Sequence, residues 1–286
     1  MKNFLCVTRK NSIQITAMID RIEAFITSNG GKCDKFILDT KSVGQTMIEV
    51  PNDCECIIAV GGDGTLIWAA SAMGDKSIPL VGVNCGHLGY LCDIDSDTLE
   101  EELNNLLQDD FAVEQRMMLD ASLNGDSNTF VGTAKALNDI VISGEFAGRS
   151  VINLTVEVNG SYLYSYDCDG LLFATPTGST AYNMSANGPI VNPSARCILM
   201  TPINAHALNS RSIVLDEDDR ITVTLNNRRD DVEESAQVMC DGRCIGKLAE
   251  GAKLDIAKST KTTSMISLSD ASFLVRMRSK MTVSKN

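Results

Sequence analysis

The sequence contains no continuous apolar stretch as long as the roughly 18 residues that a membrane-spanning helix needs. The apolar stretch near its first residue is also too short for a secretion signal. We therefore expect a cytoplasmic protein with no membrane partner. Basic residues are scarce too, because 25 Lys and Arg face 37 Asp and Glu and leave a net charge of −12. This acidic balance argues against non-specific binding to nucleic acid or to an anionic membrane.

Histidine is almost absent. The 286 residues include only His87 and His206, which excludes a histidine-rich metal site and favours a carboxylate as any general base. Ten cysteines are present, but none belongs to the C-x-x-C pair of a zinc or redox site, and most lie among apolar residues. We expect them to be reduced and buried, as small hydrophobic side chains.

What is present is an ordinary globular composition, with 44% hydrophobic and 22% charged residues. The first third alternates short apolar runs with helical patterns. Residues 12–28 carry apolar side chains at helical spacing, and residues 54–60 have the nearly continuous apolar character of a buried parallel strand. A helix over 97–107 is expected to begin with Asp97 as its N-cap. This alternation predicts an open, Rossmann-like α/β sheet.

The pattern changes near Phe111. From residue 117 to 256, short runs that alternate apolar and polar residues prevail, with turn signals such as Asn159-Gly160 between them. An amphipathic helix is expected over 272–281. We predict an α/β domain over 1–110 and 264–286 and a β-rich domain over 111–263, with the C-terminal helix packing back on the first domain.

A glycine-rich segment, Gly-Gly-Asp-Gly-Thr at 61–65, directly follows the predicted buried strand. Glycines at this edge of a sheet allow close approach of a ligand, and the helix that follows offers unpaired N–H groups to a phosphate. The segment lacks the lysine of a Walker loop and is not G-x-G-x-x-G. Asp63 could hold a magnesium ion or accept a proton from an attacking hydroxyl, and either use indicates phosphoryl transfer. The alternative is a plain turn in which Asp63 caps the helix.

Two further segments carry candidate binding residues. Residues 169–185 join an apolar strand to a cluster of small hydroxyl residues and Tyr182, a composition suited to a nucleotide or a sugar. Asn138 and Asp139 lie in an apolar, strand-like run, where buried polar groups are costly unless partners such as ribose hydroxyls satisfy them. The alternatives are a polar turn for the first segment and a strand end or a turn for the second.

Taken in order, these segments resemble the NAD kinases, which transfer a phosphoryl group from ATP to the adenosine-ribose 2′-hydroxyl of NAD. Flanking segments agree, among them 86–91 (GHLGYL) and 201–208 (TPINAHAL), and the likeness covers nearly the whole chain. Lipid kinases and phosphofructokinases share the 61–65 segment, whereas the 169–185 segment is more specific. The resemblance implies an α/β domain followed by a β-sandwich, a divalent ion such as Mg²⁺, NAD and ATP as substrates, and a homo-oligomer, either dimer or tetramer.

The resemblance also implies a role for each matching residue. Asp63 would be the catalytic base toward the 2′-hydroxyl, and Asn138 and Asp139 would hold the adenine and ribose hydroxyls of NAD. The other binding residues would be Gly62, Gly64 and Thr65 at the phosphates, Tyr90 near the dinucleotide, Thr177, Thr180, Ala181, Tyr182 and Ser185 along the adenosine and nicotinamide subsites, and Asp169 at the nicotinamide end, across a subunit boundary.

Four positions depart from the family's pattern, and two of them, Ala205 and Ser212, each replace a usual Pro. Asp139 stands where Glu is commoner, and Leu91 stands where many relatives have a second aromatic residue. Two alternatives from other classes stay open at this point. One is a lipid or sugar kinase with the same glycine-rich segment, and the other is a sensor that binds NADP without catalysis. Conversion of NAD to NADP would separate the three functions.

Overall fold

The computed structural model describes residues 1–9, 12–38, 47–74, 76–86, 89–124, 133–144, 151–206, 211–227, 234–268, 273–275 and 277–278. The chain divides into two compact units. Unit 1 comprises Met1–Gln115 with Thr263–Asn286, and unit 2 comprises Arg116–Thr262. The domain limits expected from the sequence, 1–110 with 264–286 and 111–263, stay a prediction. None of the helices in these described ranges has both the length and the apolar character needed to cross a membrane.

Unit 1 is an α/β unit. Its elements are β1 (Asn3–Thr8), α1 (Ile13–Ser28), β2 (Lys32–Ile37), β3 (Cys56–Gly61), α2 (Asp63–Ala72), β4 (Leu80–Asn84) and α3 (Leu99–Leu107). The four strands are parallel in the order β2-β1-β3-β4, and the last residues of β16 (Lys253–Ser267) pair with β4 through Met265 and Leu80. The predicted open α/β sheet is confirmed.

The periodicity of the sequence explains the elements of unit 1. In α1 the side chains of Ile15, Ile19, Ile22 and Ile26 recur every three or four residues and are all buried, while the Ser12 hydroxyl caps the helix by accepting the N–H of Ile15. In β3 every residue from 56 to 60 is at most 1% exposed, as expected for a parallel strand covered on both faces.

The start of α3 differs from the prediction. The helix begins at Leu99 with Thr98 in the N-cap position, and no side chain caps it, so the prediction that Asp97 is the N-cap is wrong. The Thr98 N–H donates a hydrogen bond to the Asp95 carbonyl and closes a turn before the helix. Asp97 lies within this turn, one residue before the N-cap position. The acidic residues of the first helical turn supply the favourable charge at this end instead.

Unit 2 consists almost entirely of antiparallel strands. They are β5 (Ala112–Asn124), β6 (Thr133–Ala136), β7 (Asp139–Gly144), β8 (Ile152–Val158), β9 (Ser161–Cys168), β10 (Gly170–Ala174), β11 (Cys197–Ile203), β12 (Ile213–Asp216), β13 (Ile221–Asn226), β14 (Ser235–Cys240) and β15 (Arg243–Ala249), with a 3₁₀ turn at Thr177–Thr180 and the short α4 at Tyr182–Ser185. The limits between the units fall within β5 and β16.

Two sheets enclose the core of unit 2. One has the order β12-β11-β10-β7-β14-β15, and the other contains β16, β13, β8 and β9. Side chains from both sheets share one buried cluster, in which Ile142 and Phe173 of the first sheet join Leu154 and Val223 of the second. This face-to-face packing confirms the predicted β-rich, sandwich-like C-terminal part.

Two hairpins of unit 2 share one type of turn. Asn159-Gly160 joins β8 to β9 with φ of 52° and 76°, and Asp241-Gly242 joins β14 to β15 with φ of 49° and 73°. Positive φ at both positions matches a type I′ turn, for which Asn-Gly and Asp-Gly are the preferred pairs. The turn signal at Asn159-Gly160 is thereby confirmed, whereas the hairpin at Asp241-Gly242 is absent from the sequence prediction.

The C-terminal helix expected over 272–281 is described only in part. Residues 273–275 and 277–278 are helical, and Leu274 and Val275 are exposed. The remaining residues of that prediction lie outside the described residues.

Candidate active site

The glycine-rich segment of unit 1 lies between β3 and α2. Gly61 has a φ of 156°, and a Cβ there would stand 2.4 Å from the Thr65 Oγ1, so this position requires glycine. Gly62 and Gly64 differ, because no described atom lies within 4 Å of a Cβ built on either residue. Packing within the described chain therefore does not require glycine at 62 or 64, and the missing side chains leave the start of α2 open to a ligand.

Asp63 is the first residue of α2, but its carboxylate does not cap that helix. Its Oδ2 accepts the N–H of Tyr90 at 2.7 Å, and its Oδ1 accepts the N–H of Leu91 at 3.1 Å. A Cβ on Gly89 would stand 2.0 Å from Oδ1, so the absence of a side chain there lets the loop close on the carboxylate. The N-cap alternative is wrong, since Gly62 holds that position and no side chain caps the helix. These bonds bring the backbone of Tyr90 to the glycine-rich segment.

Two titratable side chains lie close to Asp63. Burial, and then the charge of Asp63, raises the pKa of Tyr90. The same two causes raise the pKa of Cys92, whose side chain also hydrogen-bonds to Asp63. The Cys92 thiol is therefore a hydrogen-bond donor to the carboxylate rather than a thiolate. Nothing in the sequence marked Cys92, because its contact with Asp63 depends on the path of the 89–92 loop.

A cation also lies at the glycine-rich segment. The Nη1 of Arg9 donates a hydrogen bond to the carbonyl of Gly64 at 3.4 Å. Arg9 is absent from the residues predicted from the sequence, although a signal was available. Arg9 directly follows β1, which pairs with β3 in parallel, so the residues after both strands emerge at the same edge of the sheet. His87 and Leu88, in the neighbouring 86–91 segment, lie outside the described residues.

In unit 2, Asn138 and Asp139 lie at the turn between β6 and β7 rather than inside one continuous strand. Both are buried, with 7% and 6% of their surface exposed. The Oδ1 of Asn138 has no hydrogen-bond partner within the described part of the chain. Burial, and then the charge of Asp241, raises the pKa of Asp139 to about 7. Two buried polar side chains thus lie side by side in an arrangement that a ligand could satisfy.

The loop after β10 packs directly on this turn. The N–H of Thr175 donates to the Asn138 carbonyl at 2.9 Å, and its hydroxyl donates to the Leu137 carbonyl at 2.6 Å. A Cβ on Gly178 would stand 2.1 Å from the Asn138 carbonyl oxygen, so only glycine permits this approach. The structure therefore brings Asn138 and Asp139 together with the 3₁₀ turn that contains Thr177 and Thr180.

Asn183 fixes the rest of that loop. It is fully buried, donates to the carbonyls of Ser179 at 3.3 Å and Pro189 at 2.9 Å, and accepts the Thr201 hydroxyl at 2.7 Å. The predicted binding residues around it differ in exposure: Thr177 is buried, Thr180 and Ala181 are half-buried, and Tyr182 and Ser185 are exposed. The loop thus has a rigid interior and presents several predicted contacts on its surface.

Asp169 lies apart from these residues. It precedes β10, whereas Thr175 follows it, so a five-residue strand of roughly 17 Å separates them. Its Oδ2 accepts the side-chain amide of Asn204 at 2.9 Å. Within one chain, the structure does not bring Asp169 to the Asn138 turn.

The described residues contain no group of three or more His, Cys, Asp or Glu side chains that could hold a metal ion. A divalent ion that is bound together with a polyphosphate can keep several waters and needs only one or two protein carboxylates. Asp63, at an open helix start, is a carboxylate of that kind.

Two family models match the chain. The ATP-NAD kinase N-terminal domain matches residues 7–111, and the ATP-NAD kinase C-terminal domain matches residues 137–268. Curated relatives are similar over almost their whole length. The NAD kinase of Agathobacter rectalis is 39% identical over 284 residues, which cover 98% of this chain and 99% of the relative. The NAD kinase of Lachnospira eligens is 39% identical over 296 residues, with 98% and 100% coverage.

Solved structures share the fold at lower sequence identity. The crystal structure of yeast NADH kinase complexed with NADH gives a TM-score of 0.84 at 20% identity, covering 100% of this chain and 89% of that one. The crystal structure of an NAD kinase from Archaeoglobus fulgidus in complex with ATP gives a TM-score of 0.75 at 22% identity, covering 98% and 97%. These two comparisons support the fold alone.

Proposed function

The chain belongs to the NAD kinase family and phosphorylates NAD to NADP with ATP as the donor; from that premise we propose that Asp63 is its catalytic base. Asp63 takes the proton of the adenosine-ribose 2′-hydroxyl while that oxygen attacks the γ-phosphorus of ATP. The bond from the γ-phosphorus to its bridging oxygen breaks, ADP leaves, and the proton passes from Asp63 to solvent.

One observation carries this assignment, namely the orientation of the Asp63 carboxylate by the backbone N–H groups of Tyr90 and Leu91. Because the base is already held in one orientation, less conformational entropy is lost when the transition state forms. The carboxylate also lies at the carboxyl end of β3, where ligands of open α/β sheets bind.

We assign the phosphates of ATP to the start of α2. Gly62 and Gly64 present backbone without side chains, and Thr65 adds a hydroxyl that lies beside Gly61. The unpaired N–H groups and the helix dipole favour an anion at this end. A divalent ion, which we propose is Mg²⁺, would supply further positive charge to the phosphates when it is bound with ATP, and we propose Asp63 as a carboxylate that would contact it.

We assign the dinucleotide to unit 2. The Oδ1 of Asn138, which accepts no hydrogen bond from the described residues, and the buried carboxylate of Asp139 are acceptors that adenine and ribose hydroxyls would satisfy. The further contacts that we propose for NAD are Thr177, Thr180, Ala181, Tyr182 and Ser185 in the loop after β10, and Tyr90 beside Asp63. Asp169 would contact the nicotinamide end from a neighbouring subunit of a homo-oligomer, either a dimer or a tetramer, and we propose a cytoplasmic location.

Formation of NADP tests this proposal. Purified protein is incubated with ATP, Mg²⁺ and NAD, and NADP is detected with an NADP-specific dehydrogenase. We expect Asp63→Asn to lower kcat by about 10²- to 10⁴-fold, the range for loss of a general base, with little change in the affinity for NAD measured by calorimetry. Asp97→Asn, which removes an exposed carboxylate of the same unit, is the matched control and should retain full activity.

The remaining outcomes separate the alternatives. Binding of NADP by the wild type without turnover would identify a non-catalytic sensor. Phosphorylation of a lipid or a sugar but not of NAD would identify the other kinase class. Full activity of Asp63→Asn would leave NADP formation in place but remove Asp63 from the role of base.

A further inference from the structure

One residue outside the predicted site contacts the turn that carries Asn138 and Asp139. The Oδ2 of Asp241 accepts the N–H of Leu137 at 2.8 Å, and its Oδ1 accepts the N–H groups of Asn138 at 2.8 Å and Asp139 at 3.2 Å. The N–H of Asp241 in turn donates to the Asp139 carbonyl at 3.0 Å. Four hydrogen bonds therefore join one residue to three consecutive residues that lie about a hundred positions earlier in the chain.

These bonds explain why the 136–142 run does not form one continuous strand. Three successive N–H groups that point to one carboxylate cannot also take part in a regular strand ladder, where alternate N–H groups point in opposite directions. The backbone of 137–139 therefore curls around Asp241. This curl places the side chains of Asn138 and Asp139 next to each other at the start of β7.

The hairpin turn alone does not require an aspartate. Asp241 has a φ of 49° in the first position of a type I′ turn, where Asn is equally suitable. An Asn at 241 would keep the turn and one carbonyl oxygen, but its amide group would replace the second acceptor and face an N–H donor. The turn therefore accounts for Asp or Asn at 241, and only the N–H groups of residues 137–139 account for a carboxylate with two acceptor oxygens.

We propose that Asp241 is a positioning residue for NAD, and that its carboxylate holds the 137–139 backbone in the conformation that presents Asn138 and Asp139 to the dinucleotide. The inference rests on the proposed function, because it takes these two residues as NAD ligands. Asp241 itself contacts their backbone and acts only through them.

Asp241 also changes the electrostatics of Asp139. Its charge, after burial, raises the pKa of Asp139 to about 7. Among the described residues, the other titratable or charged groups around the pair are Cys240 of β14, whose pKa burial raises, Asp120 of β5, whose charge acts on Cys240, and Arg243 of β15, whose charge acts on Asp241. The loop after β10 contributes the uncharged side chains of Thr175 and Thr177. An ionised Asp139 accepts ribose hydroxyls better than a protonated one, so the KM for NAD should fall as the pH rises through about 7.

Asp241→Asn tests the inference. We expect the KM for NAD to rise about tenfold at neutral pH, consistent with loss of a charge-assisted hydrogen-bond acceptor, while the KM for ATP stays within about twofold. The pH at which the KM for NAD changes should move below that of the wild type, because one negative charge beside Asp139 is gone. A residue that only stabilises the fold would change both KM values and leave that pH unchanged.

The control is Asn159→Asp, in the equivalent position of the β8–β9 hairpin. It removes the 2.7 Å hydrogen bond from the Asn159 side chain to Asp219 and should leave the KM for NAD within about twofold. Thermal unfolding of both variants checks folding. If Asp241→Asn does not fold, a comparison of the wild type with Asp139→Asn still tests the electrostatic effect on Asp139. The KM for NAD should depend on pH near 7 in the wild type and should not do so in Asp139→Asn.

The outcomes are distinguishable. An unchanged KM for NAD and an unchanged pH profile in folded Asp241→Asn would overturn the positioning role and leave the proposed function intact. Equal increases in both KM values would also overturn it. A wild type that forms no NADP would contradict the proposed function instead, and the affinity for NAD measured by calorimetry would then test the positioning role by itself.

Discussion

Each unit contributes one carboxylate to the proposed reaction, and the two are held in opposite ways. In unit 1 both oxygens of Asp63 accept backbone N–H groups from the 89–91 loop. In unit 2 the backbone N–H groups that surround Asp139, including its own, bond to Asp241 instead. Among the described residues no donor contacts the Asp139 carboxylate, which is buried and has a pKa raised to about 7.

The difference follows from the task that we assign to each group. A base must meet one hydroxyl in one direction, so fixed donors that orient it are an advantage. A binding group for a diol receives its donors from the ligand, so donors within the protein would compete with the ligand. The buried Asp139 carboxylate and the Asn138 Oδ1, which has no partner among the described residues, lower the stability of the free protein, and a bound ribose would relieve that cost.

Of the variants that test this comparison of Asp63 with Asp139, Gly89→Ala should change activity most, because it disturbs the orientation of the Asp63 carboxylate. A Cβ at this position would stand 2.0 Å from the Asp63 Oδ1, so the carboxylate or the 89–91 loop must move. We expect kcat to fall about 100-fold, the loss typical of a misplaced reacting group, with the KM for NAD within about threefold. Steady-state assays of NADP formation measure both constants.

Gly86→Ala is the matched control for that variant. It lies in the same segment, and no described atom lies within 4 Å of a Cβ built there, so we expect nearly full activity. Similar kcat values for Gly89→Ala and the wild type would show that the orientation of Asp63 by the loop does not matter for the reaction.

Asp139→Asn should give the next effect, on stability rather than on rate. Because the folded-state pKa of Asp139 is raised to about 7, the protonated group contributes stability that is present below about pH 4 and is lost as the pH rises through 7. The uncharged amide should therefore make the protein more stable at pH 8, on the order of 2 kcal/mol, with a smaller gain at pH 5. Urea unfolding at the two pH values measures the difference.

The same variant should also bind NAD more weakly, since an amide offers one acceptor oxygen where the carboxylate offers two. Asp97→Asn serves as the control, because its carboxylate is exposed and its removal should not change the stability differently at pH 5 and pH 8. An equal gain in stability at both pH values would show that the buried charge of Asp139 is not its cause.

Periodicity predicted the parts of the fold that burial dictates. The apolar residues of α1 recur at helical spacing, which indicates a helix with one face on a core. The continuous apolar run of β3 indicates a strand that is covered on both faces. The strands β11, β15 and β16 were not predicted, because their sequences lack a clear alternation. β11 contains Pro202, and β16 is rich in Lys, Ser and Thr. Pairing with neighbouring strands, which no local pattern encodes, supplies their backbone hydrogen bonds.

The candidate site was predictable to the extent that its chemistry is local. The 61–65 segment shows in the sequence because glycine, a carboxylate and a helix start are consecutive there. Asp241 and Cys92 were missed, because each acts through a contact with a residue distant in the chain or on another loop. The sequence left a strand interior, a strand end and a turn all open at Asn138, since the carboxylate that bends the chain there lies about a hundred residues away.

Arg9→Ala should give the smallest effect. It tests whether unit 1 also provides a positive charge for the phosphates of ATP. The Arg9 guanidinium is exposed and donates to the Gly64 carbonyl, beside the proposed phosphate site. One exposed charge contributes little, so we expect the KM for ATP to rise about threefold to fivefold and the KM for NAD to stay unchanged. Since exposed charges are screened, the effect should shrink as the salt concentration rises.

Arg21→Ala removes the same charge elsewhere on unit 1, where the guanidinium pairs with Glu100 at 2.6 Å. It should leave the KM for ATP unchanged, and Arg9→Lys should restore most of the affinity, because a cation is retained at the loop. If Arg21→Ala raised the KM for ATP as much as Arg9→Ala does, the effect would belong to the net charge of the unit. If Arg9→Ala raised the KM for NAD instead, our assignment of ATP to the start of α2 and of NAD to the turn at Asp139 would be wrong.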